Sequence, residues 1–263
     1  MEDFNFKKKF GQNFIKNKNV IDRIVSSVDI DKDSLVLEVG PGKGVLTREL
    51  SKKAGSVLCY EIDNELKEYL TNEFNNTNVN IIFDDFLNRD INNDIKNYKY
   101  RKLYFVSNVP YYITTPILMK LIDSSLDLEQ ITIMVQEEVG DRFSATPGNK
   151  SYGSITVFLN YFYNIKKEFK VSRNEFVPVP NVDSIVISLT KKDKLIPLGN
   201  KNTFFKLIKD SFQFKRKTIR NNLKNYDLDK ISNVLEKNSF SLTTRAEEIP
   251  VEVFVEMANE IEK

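Results

Sequence analysis

The sequence predicts an α/β fold, a doubly wound and mostly parallel sheet, followed by a small all-helical domain. Three observations carry this. Short apolar runs alternate with segments of helical periodicity up to about residue 143. The residues that end those runs, Gly40, Glu61, Asp85 and Asn108, all fall at the carboxyl end of an expected strand, where open α/β sheets hold their ligands. Beyond about residue 195 only helical patterns remain. A chain of 263 residues has room for one large domain and an appendage.

In order along the chain, Ile21, Ile24, Val25 and Val28 recur at helical spacing. "SLVLEVG" (34–40) reads as a short buried strand ending in glycine, and "GVLTRELSKKA" as the helix after it. "SVLCYEID" (56–63) is a second strand, "NELKEYLTNEF" a helix, and "NVNIIFDD" (78–85) a third strand. "KLYFVSN" (102–108) is a fourth strand; Thr115-Pro116 suits a helix start with proline at the first helical position. "QITIMVQ" (130–136) is a fifth strand and "EEVGDRF" opens another helix. "SATPGNKSYG" is a turn-rich loop, and "FVPVPNVDSIVISLT" (176–190) a proline-stiffened segment running into a strand. "KKDKLIPLGNKN" (191–202) reads as a linker, with helices expected at 203–214, 216–224, 228–238 and 251–261. The boundary falls near 195, giving domains 1–194 and 195–263.

Composition narrows the chemistry. There is no histidine, which excludes imidazole bases, His-based triads and His-ligated metals; the single cysteine, Cys59, excludes an intramolecular disulfide and a Cys-cluster zinc site. No apolar run approaches the roughly 20 residues that span a bilayer. "MEDFNFKKKF" lacks the apolar core of a signal peptide, so a cytoplasmic protein is expected. The net charge of +2 selects no partner, but residues 201–225 carry eight Lys/Arg against one Asp, and "KKK" at 7–9 adds a second cluster. One such cluster alone is equally a solvated helix face. Two of them, interleaved with Phe204, Phe205, Phe212 and Phe214, favour a polyanion surface.

"EVGPGKG" (38–44) sets glycines at 40, 42 and 44 between strand and helix, where backbone can approach a ligand closely. Glu61 can accept two hydrogen bonds from ribose hydroxyls, and Asp85 one from an adenine amino group. Asp85 is equally a cap or turn former, with Asp84 beside it as the contact. Two cofactors compete for this arrangement. A dinucleotide fold wants G-x-G-x-x-G, with its third glycine one position beyond Gly44. G-x-G-x-G is the form common among S-adenosylmethionine-dependent methyltransferases, whose cofactor has no pyrophosphate to cradle.

"SNVPYYITTPI" (107–117) then puts an amide, a stiffened backbone and paired rings at one strand end. "NVPY" resembles the N-[V/L/I/P]-P-Y signature of methyltransferases that act on exocyclic amines of nucleic-acid bases. Alongside it stand "KKKFGQNF" (7–14), "EVGPGKGVLT", "VQEEVGDR" (135–142), "SYGSITV" (151–157), "FVPVPNVDS" (176–184), "FKRKTIRNNL" (214–223) and "RAEEI" (245–249). On these the chain resembles, over nearly its whole length, the small-subunit rRNA adenine dimethyltransferases, relatives of the erythromycin-resistance methylases. The "VQEEVGDR…TPGNKSYG" stretch and "RAEEI" favour the ribosome-maturation branch.

The resemblance implies a Rossmann-like S-adenosylmethionine-dependent methyltransferase domain with a small C-terminal all-helical domain. The implied reaction is dimethylation of the N6 amino groups of two adjacent adenosines in the 3′-terminal hairpin loop of 16S rRNA, within the immature 30S subunit. An adenine amine is a poor nucleophile because its lone pair is delocalised. The side-chain oxygen of Asn108 and the carbonyl of Val109 would accept from it and favour the pyramidal nitrogen that develops as the methyl arrives. Pro110 would fix that backbone and Tyr111 would stack on the base; Phe176 would be a second aromatic wall, or else a core phenylalanine. Asn13, Ile15, Gly40, Gly42, Glu61, Asp85 and Asn108 would hold S-adenosylmethionine, with Gln12 and Phe14 covering it, though Phe14 could equally be a helix staple. Lys215, Arg216, Lys217, Arg220 and Lys224 would bind RNA backbone. The implied protein is a monomer with neither metal nor membrane. Val109 stands where leucine is commoner, and Phe86 is bulky enough to narrow the cofactor pocket. An erythromycin-type 23S rRNA methylase, a non-catalytic rRNA-binding assembly factor and, more remotely, a nicotinamide dehydrogenase are the rival readings.

Overall fold

The structure, a computed structural model, describes residues 14–263. Gln12, Asn13 and the lysines at 7–9 lie outside the described residues. The chain falls into two compact units: one runs up to Gly140 and includes Lys166–Thr190, the other joins Asp141–Ile165 to Lys191–Lys263.

The first unit begins with the two-residue β1 (Phe14–Ile15) and the helix α1 (Lys18–Ser26), whose start is capped by Asn17 accepting the Asn19 N–H at 2.9 Å. Next come β2 (Ser34–Val39), α2 (Val45–Lys53), β3 (Ser56–Tyr60), α3 (Lys67–Glu73), β4 (Val79–Ile82) and α4 (Ile91–Ile95). They are followed by β5 (Lys102–Ser107), α5 (Thr114–Asp123), β6 (Leu128–Gln136) and α6 (Glu137–Phe143). After α7 (Ser154–Phe162) and β7 (Tyr163–Val171), β8 (Phe176–Val177) pairs antiparallel with β1, and β9 (Ser184–Lys191) completes the sheet.

Seven strands form the sheet in the order β4-β3-β2-β5-β6-β9-β7. The pairs β4–β3, β3–β2, β2–β5 and β5–β6 are parallel, whereas β6–β9 is antiparallel. All six residues of β2 are buried, which is why its sequence is a continuous apolar run rather than an alternating one. From β2 the chain moves outward to β3 and β4, then returns to place β5 on the other side of β2. That reversal opens a crevice at the carboxyl ends of β2 and β5.

Among the elements that were not expected, besides β1 and the short α4, are α7 and β7. α7 has the sequence SITVFLNYF, rich in β-branched and aromatic residues that favour strands, yet Thr156, Val157, Phe158, Leu159 and Tyr161 are all buried, so packing overrides propensity. β7 terminates the sheet order and carries Lys166, Lys167, Glu168 and Lys170, charges that suit an edge strand and dilute any apolar run. The expected helix start at Pro116 is also displaced. α5 begins at Thr114, leaving Pro116 third, still within the first turn where its missing N–H costs nothing.

The second unit closes with α8 (Lys201–Ser211), α9 (Ile219–Asn222), α10 (Leu228–Lys237) and α11 (Val251–Ile261). Asn200 starts α8 by accepting from Asn202 and Thr203, two residues ahead of the expected boundary. α9 is a single turn, shorter than the helix expected over 216–224. Phe204, Leu207, Ile208, Ile231, Leu235 and Phe254 are fully buried, each worth roughly 1.5–3 kcal/mol of burial. Among the described residues no helix is long and apolar enough to cross a membrane.

Candidate active site

The crevice has a cavity volume of about 240 Å³ and is lined from the ends of β2, β3, β4 and β5, with Phe14 and Ile15 from β1. It gathers Ile15, Gly40, Gly42, Glu61, Asp85, Asn108, Val109, Pro110 and Tyr111 from the expected set.

The glycine loop shows how its own polar groups are used. Gly42 has φ +56°, and a Cβ there would stand 2.8 Å from the Phe14 ring, so no larger residue fits without displacing that ring. The Gly40 N–H donates to the Tyr60 carbonyl (2.8 Å), that of Gly42 to Glu61 Oε2 (3.1 Å), and that of Gly44 to the Pro41 carbonyl (2.8 Å). All three amides are therefore satisfied within the protein, and a carboxylate faces the loop where a pyrophosphate would need donors. The arrangement disfavours a dinucleotide. It suits a nucleoside cofactor without phosphates.

Glu61 is 2% exposed; its other oxygen accepts from the Asp63 N–H at 2.8 Å. Burial pushes its carboxyl upward, while those two backbone hydrogen bonds pull the other way. Asp85 does cap the turn over Phe86–Asn88, accepting from Leu87 N–H at 2.9 Å and from the Asn88 side chain at 3.3 Å. Asp84 also lines the crevice, but it is held by Arg89 at 3.2 Å. Phe86 lines the crevice too; it is 3% exposed, with its ring edge-on to Tyr60 at 5.0 Å.

At the end of β5, Ser107 is the residue that positions the motif. Its hydroxyl donates to the Val39 carbonyl at 2.5 Å and accepts from the Val39 N–H at 3.3 Å. This carries the β2–β5 pairing past its last backbone partners, Leu37 and Phe105, and sets Asn108 beside Gly40. Pro110 (φ −55°, ψ 135°) accepts from Ile113 at 3.1 Å, folding Tyr111–Ile113 into a tight turn ahead of α5. The Tyr111 hydroxyl meets Ser184 Oγ at 2.7 Å, and Ser184 is fully buried at the start of β9. Burial raises the Tyr111 phenol, with the Ser184 bond opposing. The neighbouring Tyr112 is 63% exposed.

Neither Ser107 nor Ser184 was singled out from sequence, although each lies inside a quoted motif. Glu38 was also missed. It is 2% exposed on β2, lines the crevice, and stands 3.6 Å from the Cys59 thiol. Burial pushes its carboxyl up to about 8.

Phe176 is not brought to the crevice wall. It is fully buried, pairs with Ile15 across the β1–β8 ribbon, and packs in the core with Ile21, Val106 and Val186. Of the basic residues, Lys215, Arg216, Lys217, Arg220 and Lys224 are all exposed on the second unit, with Lys215 Nζ donating to the Lys150 carbonyl at 2.8 Å.

Residues 3–263 match the family described as "Ribosomal RNA adenine dimethylase". The chain belongs to this family. Within it, a protein from the Aster yellows witches'-broom phytoplasma named "Ribosomal RNA small subunit methyltransferase A" is 44% identical over 253 residues, covering 94% of this chain and 93% of its own length. Among solved structures, a dimethyladenosine transferase from Plasmodium falciparum superposes with a TM-score of 0.75 at 24% identity, covering 93% of this chain and 95% of that one. The 23S rRNA methyltransferase ErmE gives 0.73, also at 24%, covering 95% and 100%. At that identity these two likenesses show a shared fold and nothing finer.

Proposed function

We propose that this chain dimethylates the N6 amino groups of two adjacent adenosines in the 3′-terminal hairpin loop of 16S rRNA, acting on the immature 30S subunit. The observation that carries the reading is the placement of the Asn108-Val109-Pro110-Tyr111 turn beside a crevice with acids at successive strand ends and no free phosphate cradle. When bound, S-adenosylmethionine supplies a methyl group on a sulfonium, a donor already activated, so the chemistry calls for neither a metal nor a strong base. Glu61 would take the ribose hydroxyls, and Asp85 the adenine amine. Ile15 would contact the cofactor, and Phe14 would cover it.

Asn108 Oδ1 and the Val109 carbonyl would accept from the target amine and orient its lone pair. Tyr111 would supply the stacking face, worth roughly 1–3 kcal/mol. Phe176 could serve as a second wall only after leaving the core that buries it. Arg216, Lys217, Arg220, Lys224 and Lys215 would engage RNA phosphates, which makes affinity fall steeply with salt. The reading takes the protein as a cytoplasmic monomer.

The test supplies labelled methyl donor with undermethylated small subunits, large subunits or naked rRNA. Label in the terminal loop of small-subunit rRNA, two methyls per adenosine, is the expected result. Label confined to large-subunit rRNA would move the protein to the erythromycin-resistance branch. Donor binding without any transfer would make it an assembly factor that retains the fold.

A further inference from the structure

The basic stretch 201–225 contains four phenylalanines, and the structure gives them different fates. Phe204 is fully buried, Phe205 packs on Phe158 with ring centres 4.7 Å apart, and Phe212 lies between Tyr152 (6.2 Å) and Phe254 (5.9 Å). Phe214 alone of the four is exposed, at 56%. It sits in the loop between α8 and α9, with Gln213, Lys215, Arg216 and Lys217 exposed around it and Arg220 exposed on the following turn.

This loop is built. One side chain, Asn222, grips Phe214 at both ends of its peptide unit: Oδ1 accepts the Phe214 N–H at 3.2 Å, and Nδ2 donates to the Phe214 carbonyl at 3.3 Å. The same Nδ2 donates to the Ser211 carbonyl at 2.7 Å, tying the loop to the end of α8. The Lys217 N–H donates to the Phe214 carbonyl at 2.9 Å, closing the turn. The one acid of the stretch, Asp210, accepts from the Tyr226 hydroxyl at 2.6 Å. A large apolar ring thus stands in water on a pinned backbone, with Lys215, Arg216, Lys217 and Arg220 exposed next to it in the chain. A pinned, exposed ring in a basic loop suits a ligand with a flat face and a negative backbone.

We propose that Phe214 is a stacking platform for an unpaired base of the bound RNA, with Arg216 and Lys217 on the flanking phosphates. The inference rests on the rRNA reading above and adds to it a base contact on the helical unit. Stacking and charge leave different signatures. Loss of a phosphate contact reduces the dependence of log affinity on log salt by about 0.7–0.9, whereas loss of a stacked base lowers affinity by one factor at every salt.

The experiment measures binding of a small-subunit rRNA transcript across a salt series. Phe214→Ala should weaken binding about 5- to 150-fold with the salt slope unchanged, and should melt like the wild type because the ring is largely exposed. Arg216→Ala should lower the slope. Phe214→Trp should bind like the wild type. Since the chain has no tryptophan, that indole reports alone, and its fluorescence should be quenched as RNA is added. Equal binding by wild type and Phe214→Ala, or a Trp variant that binds without quenching, would overturn the proposal while leaving the rRNA reading intact. A Phe214→Ala variant that binds naked rRNA normally but fails on whole subunits would make the ring a protein contact and equally overturn it. A wild type that neither binds nor methylates rRNA would overturn both.

Discussion

Replacing Glu38 by glutamine should change how stability depends on pH. This carboxyl lies within the central strand β2, 2% exposed, and burial lifts it from its ordinary 4.5 to about 8. The Thr47 hydroxyl close by and the Cys59 thiol at 3.6 Å pull it back only in part, and the nearby Glu61 pushes in the same direction as burial. A carboxyl that holds its proton more tightly folded than unfolded stabilises the fold fully below about 4.5, and that contribution is lost as pH rises through about 8. At about 1.4 kcal/mol per pH unit, the whole swing is about 5 kcal/mol, of which about 3 has gone by pH 7. The assay is urea unfolding of wild type and Glu38→Gln from pH 5 to pH 9. The wild type should lose stability relative to the variant across that range and level off above about 8. Loss of the proton-bearing oxygen offsets the variant by a constant, so the readout is the difference in slope. Glu61, also raised by burial, adds a trend of the same sign to each protein, and its coupling to Glu38 enters the difference together with the Glu38 titration itself. Parallel curves would refute the assignment of a buried, protonated Glu38.

Three further outcomes follow from the site. Gly42→Ala places a side chain at φ +56° against the Phe14 ring, so donor affinity measured by calorimetry should fall and the fold should lose about 1–2 kcal/mol. Asn108→Ala should cut methyl transfer by roughly 10²–10³, the scale for removing one oriented polar group from a reacting centre, while donor binding persists. Tyr111→Phe and Ser184→Ala each leave the other hydroxyl without its 2.7 Å partner, costing about 1–3 kcal/mol. The double variant should be no worse than either single one, read as KM for RNA against kcat; additive losses would mean that the two act separately.

The five parallel-sheet strands were legible because strands buried on both faces read as unbroken apolar runs. Their polar terminators, Gly40, Glu61, Asp85 and Asn108, do line the crevice. α7 was not legible, since SITVFLNYF speaks for strand by residue type and is helical only through what it packs against. Phe176 and the four phenylalanines of the basic stretch show a different blindness. A ring on a ligand wall and a ring in the core look alike in sequence, and only burial separates Phe214 at 56% exposure from Phe204 and Phe176 at zero. Ser107 and Ser184 escaped because a serine carries no periodicity; their roles exist only once β5 lies beside β2 and Tyr111 beside β9.

The order of the strands also sorts the polar groups along the crevice. Read in space, the sheet edge presents Asp85 after β4, Glu61 after β3, the glycine loop after β2 and Asn108 after β5. Neighbouring strands lie about 4.8 Å apart, so the three steps from Asp85 to Asn108 span about 14 Å, the reach of a nucleoside carrying an amino-acid arm. Charge is sorted along that line. The acids stand at the end that, on the proposed reading, would receive exocyclic amine and ribose hydroxyls, and the opposite end is a neutral amide and a phenol. A dinucleotide laid along the same line would bring its pyrophosphate to a loop whose three glycine amides already have acceptors. Strand topology alone is shared with dinucleotide folds; what bears on the class of cofactor is the way the glycine loop spends its own amides.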